Sequence, residues 1–397
     1  MIAKTAPEIT FTATTQKLLD DWVHIPTPGD HYSPKTGSAV ITVIREMTRW
    51  HLAAGGRARV LVAKGTWDGY DDGVRFEVPF RRLGTPPRAI KAFDRFIGGM
   101  AARRPLSGLP YADAADVLGH SFDGVVFVHN EPSGVEVLAR RCPNAKVCLW
   151  VQNELFRTYT QRQARRVVDH AHRVVCCSSF IGCKLAQITG ENPKIVTVLN
   201  GVDTEKFVPS NPRPNSEPPI ILFLGRMLPE KSPDLLVKAA VELKARGIGF
   251  RLRLVGSRNF NAADAPTPFE RQIHDMAGQL GDMISFAPFQ PRHEVVREFQ
   301  SSDIFCLPSD WDDPCPLALF EAMASGLPVV ASRRGGIPEI GRDAVLLFTP
   351  PDAEELAHHL GSFCADVALR VAMGRKARAR AMETSWSVQY QRLKEVI

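Results

Sequence analysis

Residues 309–340 read SDWDDPCPLALFEAMASGLPVVASRRGGIPEI. Two carboxylates, Asp313 and Glu321, stand eight positions apart, with a proline-marked helical pattern (Pro316, then 317–324) between them. A helix starting there turns its unpaired N–H groups and the positive end of its dipole toward whatever Asp313 faces, which makes a place for an anion. One carboxylate beside that anion and another a little over two turns along can hold neutral hydroxyls on either side of a phosphate. A nucleotide sugar has this layout: sugar hydroxyls, diphosphate, ribose hydroxyls.

The segment resembles the carboxylate, seven residues, glutamate motif of the retaining glycosyltransferases of family 4, the group 1 enzymes of GT-B fold. Further matches stand in the expected order: Asn200-Gly201-Val202-Asp203, then Gly225-Arg226 with Glu230-Lys231 after a strand, then Gly335-Gly336 with Pro338-Glu339-Ile340. The similarity runs from about residue 22 to the end of the chain and is strongest over 198–348. It implies an α/β protein of two doubly wound Rossmann-like domains facing each other across a cleft. It also implies transfer of a sugar, with retention, from a nucleoside diphosphate sugar to a hydroxyl acceptor.

Several side chains fit that chemistry. Arg226 and Lys231 follow the strand pattern at 220–224, and two cations at a strand end neutralise a diphosphate and the charge on its departure. With those cations present and no aspartate-rich metal signature evident, the expectation is a metal-independent reaction with no cofactor beyond the UDP- or GDP-linked donor. By resemblance Asp313, where the family commonly carries glutamate, takes hydroxyls of the donor sugar, and Glu321 takes those of the ribose. Pro316 lacks an N–H, so phosphate contacts from this turn fall to Cys315, Leu317 and Ala318. Gly225 and the loop at Gly37-Ser38 allow close backbone approach to phosphate or sugar. The family's usual active-site histidine has no counterpart after the strand at 147–151, where Gln152 and Asn153 stand instead. A glutamine amide keeps a polar contact but cannot serve as a base. His129 ends the preceding strand and is expected to face the cleft, so the catalytic role of the family's histidine is left open between Gln152 and His129. The donor base is left open between Gly256-Ser257-Arg258 and Phe289-Gln290 as its contacts.

A length of 397 residues fits two domains, and 44% hydrophobic with 23% charged residues is the make-up of a globular protein. The N-terminal stretch has no apolar run of signal-peptide type, and no run is long enough to span a bilayer, so the expected location is cytoplasmic. Eight cysteines (142, 148, 176, 177, 183, 306, 315 and 364) lack zinc-site spacing and are expected as reduced thiols. The first 209 residues carry 27 Lys plus Arg against 20 Asp plus Glu, the rest 22 against 23. An excess this small, with no recognition motif, gives no reason to expect nucleic-acid binding.

Short apolar runs alternate with amphipathic stretches. Strands are predicted at 22–25, 58–63, 125–129, 146–151, 174–177 and 195–199, then at 220–224, 251–255, 284–288, 304–307, 328–331 and 345–348. The N-terminal acceptor domain would span 1–207, with 1–18 an extension of no clear type. A proline-rich linker follows at 208–219, then the nucleotide-sugar domain at 220–380. By resemblance 381–397 returns as a helix to the first domain. Over 81–104, seven basic residues and one acid accompany an apolar stripe of Ile90, Phe93, Ile97 and Met100. Such a segment either packs on its own domain or touches the inner face of a membrane, where a lipid-linked glycan would serve as acceptor. A GT-B epimerase or phosphorylase, and a binding subunit lacking catalysis, are the competing readings, the last prompted by Gln152.

Overall fold

The computed structural model describes residues 21–397 apart from 28, 68, 81–91, 97–103, 212–215 and 260–264. The 1–18 extension, most of the basic 81–104 stretch and part of the 208–219 linker therefore lie outside the described residues. Valine, isoleucine and leucine runs form parallel strands here because helices cover both faces of each sheet. The first sheet holds β1 (Asp21–Ile25), β2 (Arg57–Ala63), β3 (Arg75–Val78), β4 (Val125–His129), β5 (Lys146–Val151), β6 (Arg173–Cys176) and β7 (Ile195–Thr197), ordered β3-β2-β1-β4-β5-β6-β7. The second holds β8 (Ile220–Leu224), β9 (Arg251–Val255), β10 (Ile284–Ala287), β11 (Ile304–Leu307), β12 (Val329–Ser332) and β13 (Leu346–Phe348), ordered β10-β9-β8-β11-β12-β13.

All these pairings are parallel, and register sets the core. Ile221 of β8 lies opposite Leu252 of β9 and Ile304 of β11, and all three are buried. In each sheet the chain order reverses at the first strand, beside β1 and beside β8, and ligands of such sheets bind outside the carboxyl ends at that switch point. Each of the twelve predicted strands is present, within two residues at either end. The additional one is β3, a short edge strand whose Phe76 and Glu77 are exposed, so it carries no apolar run to announce it. Among the described residues no helix is long and apolar enough to cross a membrane.

The last helix, Trp386–Val396, is capped by Ser385 and leaves the second sheet's layer to lie against the helix Ala39–Ala53 of the first. Its Trp386, Tyr390 and Leu393 close an apolar layer with Trp22, Met47, Phe127 and Trp150. Three histidines are built into or against this layer. His51 stacks on Trp22 at 4.0 Å, with Nδ1 3.2 Å from the Tyr390 hydroxyl. His24 stacks on Phe127 at 4.8 Å, and its Nδ1 is 3.0 Å from Nε2 of His129. Burial holds all three neutral: His129 is pushed down to about 3, His51 to about 4, and His24 well below the ordinary histidine range.

Depressed values of this kind mean that the unfolded chain takes up protons first. The stabilisation is complete above pH ~6.5 and is lost as the pH falls from there toward 3–4. The melting temperature should drop by about 10 °C between pH 7 and pH 5, and His51→Phe should flatten that dependence. Circular dichroism melts across this range check it; a flat wild-type profile would contradict the account.

Candidate active site

A cavity of about 450 Å³ lies between the two sheets' layers at the carboxyl ends of their strands. Gly37 and Ser38 enter it from the loop after β1, and Gln152 with Asn153 from the end of β5. From the second sheet come Gly225, Arg226 and Lys231 after β8, Arg292 after β10, and the 313–321 segment after β11.

Residues 313–321 are organised by the helix Leu317–Ala324. Pro316 occupies its N-cap with extended backbone and no side chain caps it, so the first-turn N–H groups of Leu317 and Ala318 open on the cavity these residues line. Asp313 and Glu321 are 5% and 4% exposed, and each is met by a cation from another loop. Lys231 Nζ pairs with Asp313 Oδ2, and Arg292 Nη2 pairs with Glu321 Oε1. Lys231 closes the short 3-10 turn Pro229–Lys231, next to Ser232, whose hydroxyl accepts from the Asp310 N–H at 3.2 Å. Its ammonium also sits 5.3 Å from the Trp311 ring centroid. Arg226 differs: it is exposed and, among the described residues, has no carboxylate partner.

Two glycine contacts fix how closely these loops meet. A Cβ on Gly256, whose φ is +138°, would lie 1.9 Å from the Gly225 carbonyl oxygen, so the ends of β8 and β9 touch through backbone alone. A Cβ on Gly336 would lie 2.1 Å from the Pro314 oxygen and 3.0 Å from Ser178 Cβ, while the Gly336 N–H donates to the Asp313 carbonyl at 2.9 Å. The same segment is held from the first domain. Asn200 Nδ2 donates to the Cys315 carbonyl at 3.0 Å. Glu339 accepts from both the N–H and the hydroxyl of Ser179 at 2.8 and 2.7 Å, capping the helix Ser179–Thr189 across the cleft. Burial, then the Cys315 thiol beside it, pushes the Cys177 thiol up. All eight cysteines are free, and six are buried.

Of the residues singled out by sequence, Arg226, Lys231, Asp313, Gln152, Gly37, Ser38, Asn153, Gly225, Cys315, Leu317, Ala318 and Glu321 all line this cavity. His129 does not, and the expectation that it faces the cleft is corrected. Along β4 it shares the face of Val125 and Phe127, so its ring points into the aromatic layer, against Trp150 at 5.4 Å and His24. Gln152 is held by its backbone N–H, which donates to Asn130 Oδ1 at 2.8 Å; its Nε2 is buried and has no partner among the described residues. Sequence reasoning missed Arg292, the side chain of Asn200 and Trp311. Asn200 was visible as part of a motif, whereas Arg292 is a single loop arginine that no spacing marks.

Comparison with known proteins bears on the fold. Residues 204–380 match the family described as Glycosyl transferases group 1. The chain is 26% identical over 289 residues to spore coat protein SA of Bacillus subtilis, covering 68% of this chain and 76% of that one. It is 32% identical over 237 residues to a D-inositol 3-phosphate glycosyltransferase of Saccharomonospora viridis, covering 56% of this chain and 54% of that one. Among solved structures, Anabaena Alr3699/HepE in complex with UDP superposes with a TM-score of 0.72 at 18% identity, covering 94% and 98% of the two chains. Sucrose-phosphate synthase of Thermosynechococcus elongatus gives 0.73 at 18%, with the same coverage. The fold is GT-B, and residues 204–380 carry the match to the glycosyltransferase family.

The backbone contact at Gly336 is open to test. Gly336→Ala must push Pro314 away, at a cost of about 1–3 kcal/mol, and should lower the melting temperature by several degrees. Gly278→Ala, where nothing lies within 4 Å, should leave it unchanged. Thermal melts of both variants decide; equal stability of Gly336→Ala and wild type would show that the loop is not set by this contact.

Proposed function

We propose that this group 1 glycosyltransferase of GT-B fold moves a sugar, with retention and without a divalent metal, from a UDP- or GDP-linked donor to a hydroxyl acceptor in polysaccharide or glycoconjugate assembly. The observation that carries the reading is the convergence of Arg226, the Lys231–Asp313 pair and the start of the helix Leu317–Ala324 on one cavity between the domains. Arg226, exposed and without a carboxylate partner among the described residues, is open to a diphosphate. Lys231 stands where it can be shared between Asp313 and the same phosphates, and the N–H groups of Leu317 and Ala318 add the helix-terminal contribution.

In this reading Asp313 orients the donor sugar by accepting from its hydroxyls, and Glu321 does the same for the ribose. As the bond from the anomeric carbon to the phosphate oxygen breaks, its electron pair goes to the diphosphate, and the cations stabilise that charge. The acceptor oxygen bonds to the anomeric carbon from the side the diphosphate leaves, and its proton passes to the departing phosphate oxygen. The Gln152 amide, buried with Nε2 unpartnered among the described residues, is a contact for a sugar hydroxyl and takes no proton. Retention is supported by the motif resemblance, and metal independence by the cations at the phosphate position.

A lipid-linked glycan is the acceptor class we favour, presented at the inner face of a membrane. Within the 81–104 stretch, the described residues 92–96 expose Phe93 by 47% and Phe96 by 72%, as a surface meeting an apolar boundary would.

Purified protein screened by thermal shift against UDP, GDP and their common sugars should be stabilised by nucleotides of one base. Arg226→Ala and Lys231→Ala should each weaken that nucleotide about 10- to 100-fold, the worth of a charge-assisted contact. Turnover of the matching sugar nucleotide should persist in excess chelator. Stabilisation untouched by either substitution would remove the diphosphate from this position, and turnover abolished by chelator would remove the metal-independent step.

A further inference from the structure

Glu321 is the fifth residue of the helix Leu317–Ala324 and is nearly sealed from solvent, yet it lines the cavity. A carboxylate so placed needs a counter-charge, because desolvating it alone costs more than one hydrogen bond returns. Among the described residues, three cations line the cavity. Lys231 is engaged by Asp313 and Arg226 is exposed, which leaves Arg292 as the partner of Glu321. The pair uses one carboxylate oxygen, Oε1; among the described residues Oε2 has no partner.

Arg292 is itself held in place. Its carbonyl accepts from Lys206 Nζ at 3.1 Å, and the turn Pro291 to Glu294, closed at 2.8 Å, leads into the helix Val295–Gln300. The guanidinium also faces the first domain. There burial raises both Glu46 and Tyr70, and the Arg292 charge is among those pulling each back down. Arg292 thus stands at the meeting of the β10 loop, the buried helix and the opposite wall of the cleft.

We propose that Arg292 is a positioning residue for the nucleoside end of the donor, engaging Glu321 Oε1 so that the carboxylate is turned with Oε2 toward the ribose hydroxyls. This rests on the reading that Glu321 takes the ribose. A diol offering two O–H groups needs an acceptor without a proton of its own, and a neutral acid would present a donor instead. The planar guanidinium fixes the plane of the carboxylate as well as its charge; an ammonium supplies charge alone. Lysine at this position should therefore recover part of the function and glutamine none.

Isothermal titration of wild type, R292Q and R292K with UDP, 2′-deoxy-UDP, GDP and 2′-deoxy-GDP tests this. For the base it accepts, wild type should prefer the ribonucleotide by about 10-fold or more, the worth of a hydrogen bond to a charged group. R292Q should reduce that preference to within about twofold while binding the deoxynucleotide nearly as wild type does, and R292K should fall between. Should R292Q not fold, the ratio in R292K carries the test. Equal weakening of both nucleotides in the variants, with the ratio kept, would assign Arg292 a structural role and overturn the proposal. A wild type that binds both forms equally would overturn it too, leaving the diphosphate site standing. Failure of all four to bind would remove the functional reading and this inference together.

Discussion

Two buried carboxylates that must be neutralised organise this molecule. Asp313 and Glu321 flank and occupy a short helix packed into the second sheet's layer, and neither is more than 5% exposed. Left unpaired, either would destabilise the fold by several kcal/mol. Lys231 and Arg292, brought from the loops after β8 and β10, meet them, so three separate connections are tied together at the carboxyl edge of one sheet. The geometry of the cavity follows. Because those two cations are shared with carboxylates, Arg226, exposed and without a carboxylate partner among the described residues, is the charge most open to an incoming anion.

The segment that makes the cavity also joins the domains. Asn200 holds the Cys315 carbonyl, Ser178 packs against Gly336, and Glu339 caps the helix Ser179–Thr189. From the helix Val367–Met382, Arg378 donates to the carbonyls of Thr204, Phe207 and Ala324 at 2.8, 2.7 and 2.6 Å. The last helix then returns to the first domain through the Trp386 and Tyr390 layer. Displacement of the 313–336 backbone would therefore be felt on both sides of the cleft.

Much of this was readable in the sequence because motif residues cluster at strand ends, where spacing and residue type are informative. Val-Ile-Leu runs gave twelve strands, and the order of Asn200-Gly201, Gly225-Arg226, Asp313 with Glu321, and Gly335-Gly336 gave the layout of the second domain. What escaped reading depends on distance along the chain. Arg292 acquires its meaning only when the β10 to β11 connection brings it to Glu321, 29 positions away. Glu339 looked like part of a loop motif, whereas its carboxylate serves a helix 160 positions earlier. His129 was misplaced for a local reason, since the alternation along Val125, Phe127 and His129 already assigns it to the apolar face. β3 is too short and too polar to be read at all.

The central claim is that a nucleoside diphosphate lies between Arg226 and the first turn of the helix Leu317–Ala324. A crystal structure of the protein with UDP or GDP bound tests it most directly. The account predicts phosphate oxygens within hydrogen-bond distance of the Arg226 guanidinium and the N–H groups of Leu317 and Ala318, with the ribose turned toward Glu321. A nucleotide bound with its phosphates away from Arg226 and that helix would contradict it.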